Sequence, residues 1–340
     1  MKIKGVLVAA ILASGLFFTT LFVSYAAAGH EIIGWGYNFY GQATPPDGND
    51  FTAVSAGGYH SLALKADGSI VAWGANWDGF ATPPAGHDFI AISAGRYHSL
   101  ALKADGSIVG WGYNNYGLAT PPAGNDFIAI SANLYYDLAL KDDGSIVIWG
   151  DPNDPAMTLP ANNTDFTAIS AGLAHCLALK ADRSIVGWGN PGYGASTPPA
   201  GNDFTAIGAG EWHSIALKSD GSIACWGNNG YGRATAPAGN DFTAVSAGGY
   251  HNLALKSNGS IIGWGYDYYG QSTPPAGNDF TAISAGLHHS LALKSVPCQF
   301  ALTGDLNNDC KVNLSDFAMM TQNWLIDCDM NPSNPACVYR

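Results

Sequence analysis

Charge is scarce in this chain of 340 residues. Charged side chains make up 12% of it, about half of what a soluble domain carries. Only 14 are Lys or Arg, against 26 Asp and Glu, for a net charge of −12. An acidic surface repels phosphate backbones, which argues against a nucleic-acid partner. No two of the six cysteines stand as CxxC, so neither a zinc knuckle nor a thioredoxin-type site is encoded. Beyond Val23 no apolar run is long enough to cross a membrane. No paired-carboxylate glycosidase site stands out either.

One sentence is repeated throughout. Residues 56–74 read AGGYHSLALKADGSIVAWG, and a near copy returns at 94–112. Trp-Gly pairs fall at Trp35, Trp73, Trp111, Trp149, Trp188, Trp226 and Trp264, at intervals of 38 or 39 residues. A fixed period of that size signals a solenoid, an array or a propeller. Each unit holds three strand-like runs, in the first unit 51–56, 60–65 and 69–74. Asp67-Gly68 between the last two is a hairpin signal, since glycine accepts positive φ. Pro-Pro pairs punctuate most links between units (Pro45-Pro46, Pro83-Pro84, Pro121-Pro122, Pro198-Pro199, Pro274-Pro275) and cannot donate to a ladder. Apolar residues on both strand faces predict sheets packed on both sides, as in propeller blades.

The last unit, 279–294, lacks a third strand, and the first structured residues supply it. Glu31-Ile32-Ile33-Gly34-Trp35-Gly36 matches Ser260-Ile261-Ile262-Gly263-Trp264-Gly265. The expected fold is all-β: a seven-bladed β-propeller closed by the N-terminal strand, with a small C-terminal calcium-loop and helix module. The domain boundaries read 1–28, a signal peptide; 29–295, the propeller; and 296–340, a disulfide-rich tail. Lys2 and Lys4, the apolar run 5–23 and Ala26-Ala27-Ala28 make the leader pattern, with an uncleaved anchor as the alternative. Cleavage would take the net charge from −12 to −14 by removing those two lysines.

The units resemble the regulator-of-chromosome-condensation repeat family, through AG-x-x-HSLALK-x-DGS-x-x-x-WG-x-N at 56–76 and its in-phase copies over 29–294. Their short period is most like the secreted bacterial branch, which includes a propeller-type inhibitor of β-lactamases. The resemblance implies a seven-bladed ring that binds proteins through rim loops.

Strand direction puts the turn between strands one and two on the same rim as the loop after Trp-Gly. That upper rim is aromatic and varied. Tyr59, Tyr97, Tyr135, Trp212, Tyr250 and His288 fall in the turns; Trp77, Asp267 and Tyr268 fall in the loops, beside Tyr37, Tyr40, Tyr231, Tyr266 and Tyr269. Tyr and Trp make hot spots because they bury large area at low entropic cost. Trp77, Arg96, Glu211, Trp212 and Asp267 differ from unit to unit and are expected to be exposed. These residues form the candidate binding site.

The lower rim repeats instead. Lys65, Lys103, Lys141, Lys180, Lys218, Lys256 and Lys294 recur in phase with Asp50, Asp88, Asp126, Asp165, Asp203, Asp241 and Asp279, which predicts mutual pairing. Six in-phase histidines (His60, His98, His175, His213, His251, His289) read as hydrogen-bonders between blades, because a catalytic centre needs one arrangement and not six. No catalytic residue is assigned. One unit deviates, with Tyr136-Asp137 where others have His-Ser and Asp151-Pro152-Asn153-Asp154-Pro155 in its loop.

In the tail, residues 305–316 fit a Ca²⁺ loop: Asp305, Asn307, Asp309, Asn313 and Asp316 offer side-chain oxygens and Lys311 its carbonyl. Cys310 stands where the sharp turn prefers glycine, and Asp316 where glutamate is usual. The segment resembles a dockerin module, in which Asp at the last ligand position is usual; Leu314 and Ser315 occupy the positions that dockerins use for recognition. There is one such loop where a dockerin has two. The resemblance implies a cohesin-like receptor; the alternative is a calcium-stabilised end. Cys298, Cys310, Cys328 and Cys337 crowd the same stretch and allow three disulfide pairings.

The whole reads as a secreted or cell-surface, non-enzymatic protein. Its propeller would bind an extracellular protein, and its tail would dock through Ca²⁺. The alternative is a carbohydrate-binding accessory of an extracellular polysaccharide-degrading system, since aromatic rings also stack on sugars.

Overall fold

The computed structural model describes residues 29–296. Seven three-stranded antiparallel sheets follow one another. Six come from continuous segments: blade 1 (51–74), blade 2 (89–112), blade 3 (127–150), blade 4 (166–189), blade 5 (204–227) and blade 6 (242–265). Blade 7 is composite. Phe280–Ala285 and His289–Ser295 supply its inner and middle strands, and His30–Gly36 supplies the outer one. The register runs from His30 opposite Ser295 to Gly36 opposite His289. The chain's own start therefore completes its last blade.

The ring closes through packing. Ile32 joins the core cluster shared by blades 7, 1 and 2, whereas Ile33 and Trp35 pack with blade 6. Every core cluster mixes residues of neighbouring blades; Phe127 and Ile130 of blade 3, for example, sit on Leu100 and Leu102 of blade 2. The apolar residues on both strand faces are used in this way.

The Trp-Gly pairs have a physical cause. Trp73 donates its indole N–H to the Gln42 carbonyl at 2.9 Å, and Trp111 donates to Phe80 at 2.9 Å. The other five do the same to the loop one unit back, from Trp35 to Gln271 through Trp264 to Arg233. The next residue must turn sharply: Gly74 has φ +104°, and a Cβ there would lie 2.7 Å from the Tyr59 carbonyl oxygen. The lower rim pairs as expected in six blades, with Lys–Asp distances of 2.9 to 3.5 Å. Exposed pairs like these contribute about 0–1 kcal/mol each.

Around the central channel, the next-to-last residue of the inner strand is a serine in six blades and accepts the backbone N–H of the next blade. Ala94 donates to Ser55 at 2.9 Å, Ala132 to Ser93 at 2.8 Å and Ala56 to Ser284 at 3.0 Å. Blade 5 has Gly208 at this position, facing the Ala247 amide without a hydroxyl to offer. Gly208→Ser should restore the bond and raise stability by about 1 kcal/mol, the net worth of one hydrogen bond. A Cβ would meet Ile215 at 3.1 Å, so a small repacking is included. Thermal denaturation checks this; a lowered melting temperature would contradict it.

Candidate functional site

The histidine–serine pairs come first, because they look like chemistry and are not. His60 Nε2 lies 2.8 Å from Ser99 Oγ on the next blade, and His175, His251 and His289 repeat this with Ser214, Ser290 and Ser61. Each serine hydroxyl donates to a backbone carbonyl: Ser61 to Gln42, Ser99 to Phe80, Ser214 to Ala195 and Ser290 to Gln271. Its single proton is thus committed, so the network makes Nε2–H the donor to Oγ. An imidazole that donates to serine is no base for it. Burial also pushes these rings down, to about 3 at His60, His175, His251 and His289 and to about 4 at His213. They bridge blades, as their sixfold recurrence predicts.

The deviant unit is explained by the same network. Asp137 replaces the serine that would accept from His98, whose Nε2 lies 3.0 Å from both carboxylate oxygens. Tyr136 replaces the histidine, and its hydroxyl reaches the carbonyls of Gly172 and His175. Cys176 stands where blade 4 would have offered that histidine a serine. Tyr136 is matched by Cys176 on blade 4, whereas Asp137 bonds the ordinary histidine of blade 2, His98. The deviation is a local rewiring of the inter-blade bond.

The upper rim is where the ring faces differ. Ring contacts run without a break from Tyr113 to Tyr97, Tyr59, Trp77, Tyr40 and Tyr37, then to Tyr269, His288, Tyr250, Tyr266 and Tyr231. This is an arc over blades 5–6, 7, 1 and 2. Tyr268, Trp77 and Tyr231 stand 77%, 56% and 69% exposed. Tyr116, Tyr193 and Tyr231 project from tight turns with φ between +60° and +61°, a left-handed conformation that is strained for a bulky side chain. Trp212 contacts Tyr193 at 5.8 Å and lies apart from the arc.

At the centre of the rim, Arg96 of blade 2 and Glu211 of blade 5 face each other across the channel mouth, 4.0 Å apart. The Arg96 guanidinium lies 5.8 Å and 5.7 Å from the Tyr59 and Tyr97 ring centres. Burial and a hydrogen bond to Glu211 push the Tyr250 phenol up to about 12. Arg233, 5% exposed, stacks on Tyr250 at 5.4 Å.

Of the five side chains expected to be exposed, Trp77 and Asp267 are, Arg96 and Trp212 are half-buried, and Glu211 is buried. Glu211 is not exposed but 7% accessible, because its turn points into the mouth rather than out over the rim. Asp267 is exposed, yet its carboxylate accepts from Ser272 N–H and Thr273 Oγ, each at 2.7 Å. It clamps its own loop, as Asn76 does with Ala81 and Thr82. Trp77, Arg96, Tyr97 and Tyr135 are brought together around one groove; Tyr59 packs behind it on Trp77, Tyr97 and Arg96, and Tyr250 stacks with His288 a little farther along. Arg233 escaped sequence reasoning. The signal was a charged residue at a position held elsewhere by Gln42, Phe80, Leu118, Ala195 or Gln271. The leader, the tail cysteines and the calcium-loop residues Asp305–Asp316 lie outside the described residues.

The regulator of chromosome condensation (RCC1) repeat model matches at 51–79, 89–118, 166–195, 204–233 and 242–271. It passes over blade 3, where Tyr136-Asp137 breaks the pattern, and the split blade 7. Among solved structures, Prp20p of Saccharomyces cerevisiae is similar with a TM-score of 0.68 and 16% identity, over 88% of this chain and 96% of that one. Human WBSCR16 is similar at 0.65 and 16% identity, over 79% and 99%. The ectodomain of the receptor kinase CR4 of Physcomitrella patens is similar at 0.59 and 25% identity, over 69% and 68%. No curated protein matches the chain.

Proposed function

We propose that this propeller of RCC1-type repeats is a non-enzymatic docking module that holds a protein partner on its aromatic upper rim. The observation that carries the reading is the unbroken arc of half-buried and exposed rings confined to one face, set against the repetitive lower rim. Rigid blades position varied loops, which is how recognition surfaces are built. The strained tyrosine turns agree, since strain of this kind concentrates at functional positions. Prp20p, a protein described with its binding to Gsp1p and histones, is an analogue in fold only.

Two further parts of the proposal rest on sequence. The leader pattern makes the protein secreted or cell-surface bound. The loop at 305–316 makes the tail a Ca²⁺-dependent docking element. The chain enters the described region at Gly29 and leaves it at Val296, whose N–H donates to the Gly29 carbonyl at 2.8 Å. Both points lie on the lower rim, away from the arc, so tail docking and rim docking need not compete.

Combined Trp77→Ala, Tyr97→Ala and Trp212→Ala should weaken capture of the partner from the native extracellular fraction at least 100-fold, since truncated hot spots cost about 2 kcal/mol or more each. Capture is quantified with and without Ca²⁺. Unchanged capture would remove the rim from the argument. Retention on polysaccharide in place of protein would favour the carbohydrate reading.

A further inference from the structure

Arg96 is a cation without adequate acceptors. A guanidinium carries five N–H donors. Here Nη2 has the Tyr59 hydroxyl at 3.5 Å, the outer limit of a hydrogen bond. Nη1 has Glu211 at 4.0 Å, beyond that limit, and Nε is buried with no partner. Glu211 is itself engaged by Tyr250. The Tyr59 and Tyr97 rings hold the group in place.

A groove of about 510 Å³ opens beside it, walled by Trp77, Tyr97, Tyr116 and Tyr135. That volume suits a few side chains of a bound segment. The charge pattern says which kind. Every lysine among the described residues belongs to the lower rim, and Arg183 lies in a lower-rim hairpin turn. Arg233 is covered. Arg96 is therefore the accessible cation of the upper face. Asp78 also lines the groove and repels like charge, so an acidic group is directed to the Arg96 end.

We propose that Arg96 receives a carboxylate of the docking partner, an Asp or Glu side chain beside an aromatic or apolar residue that fills the groove. The inference rests on the upper rim being the docking face. A carboxylate matches the planar fork of arginine and forms charge-assisted bonds of the strong, directional kind.

The test is selection of a displayed random heptapeptide library on the full chain. Selected peptides should carry an Asp or Glu next to an aromatic or apolar residue. Arg96→Gln should weaken them at least tenfold, with Arg96→Lys restoring part of the loss. Exchanging the peptide's acid for its amide should cost as much on the wild type and nothing further on Arg96→Gln. Thermal melts confirm that the variants fold. Peptides that depend on Trp77 but tolerate Arg96→Gln would leave the docking face standing and overturn the carboxylate. Peptides indifferent to both would overturn both, and failure to select any peptide counts against the carboxylate site.

Discussion

Lowering the pH from 7 through 5 should unfold the propeller in one cooperative step. Five buried imidazoles drive this. In the unfolded chain His60, His175, His213, His251 and His289 take a proton near 6.5, whereas in the folded ring burial holds them to about 3 or 4. Between those limits the unfolded state binds more protons, so stability is complete at neutral pH and falls as pH drops through the window. At pH 5 the loss is about 2 kcal/mol per ring, or about 9 kcal/mol for the set. Domains have about 5–15 kcal/mol in total. Asp137 works the other way, its carboxyl pushed up by burial although His98 pulls it down, but it is one proton against five. The hairpin carboxylates Asp67, Asp105, Asp143, Asp182 and Asp220 are held below their usual range, chiefly by the hydroxyls of the serines two residues on. They add to the loss only under more acid conditions. Circular dichroism against pH should place the midpoint near 5. His60→Gln keeps a donor toward Ser99 without a titrating ring, so it should shift that midpoint downward. A melting temperature unchanged between pH 7 and 4 would contradict the whole account.

Those histidines also show which features the sequence makes legible. A position repeated in phase is tested again and again within one chain, so its role stands out. The His bridges, the lower-rim ion pairs and the split seventh blade all belong to that class, whereas the recurring Trp-Gly gave the period without revealing its indole bond. What stayed hidden occurs once. Arg96 and Glu211 are distant in sequence, and only the curvature of a closed ring of seven brings blades 2 and 5 face to face. Glu211 looked exposed because it varies between units, yet variation at the channel mouth reports a change of lining and not exposure. Asp267 looked like a recognition carboxylate because its role as a loop clamp is played by asparagine in other units. The bond from His98 to Asp137 and the paired replacement Tyr136–Cys176 were unreadable until the blade-to-blade register of the bonds was known.

Deleting residues 29–36 should abolish folding of the ring, and rejoining them in a new order should restore it. The strand His30–Gly36 is held from both sides: Ile32 packs toward blade 1, Ile33 and Trp35 toward blade 6, and the Trp35 indole donates to Gln271 at 2.9 Å. Losing these three side chains removes roughly 6 kcal/mol of apolar burial, before any hydrogen bond is counted. It also leaves the 289–295 strand as an open edge, which invites pairing between molecules. The deletion should therefore yield aggregates and no cooperative melt. Composition alone cannot be the cause if a circular permutant rescues it. Val296 and Gly29 already meet through a 2.8 Å backbone bond. A short Asp-Gly-containing turn between them would make blade 7 continuous like the other six. New ends between Gly48 and Asp50, in the exposed link before blade 1, would leave every blade whole. The permutant should melt as one unit within a few degrees of the parent chain, because the closure entropy of so short a loop is small. If the deleted chain still folds cooperatively as a monomer, the N-terminal strand is an ornament on a six-and-two-thirds ring and not its closure. If instead the permutant fails while the parent folds, the strand acts through its position at the chain's start, and the pairing with Ser295 to His289 is not what holds the circle shut.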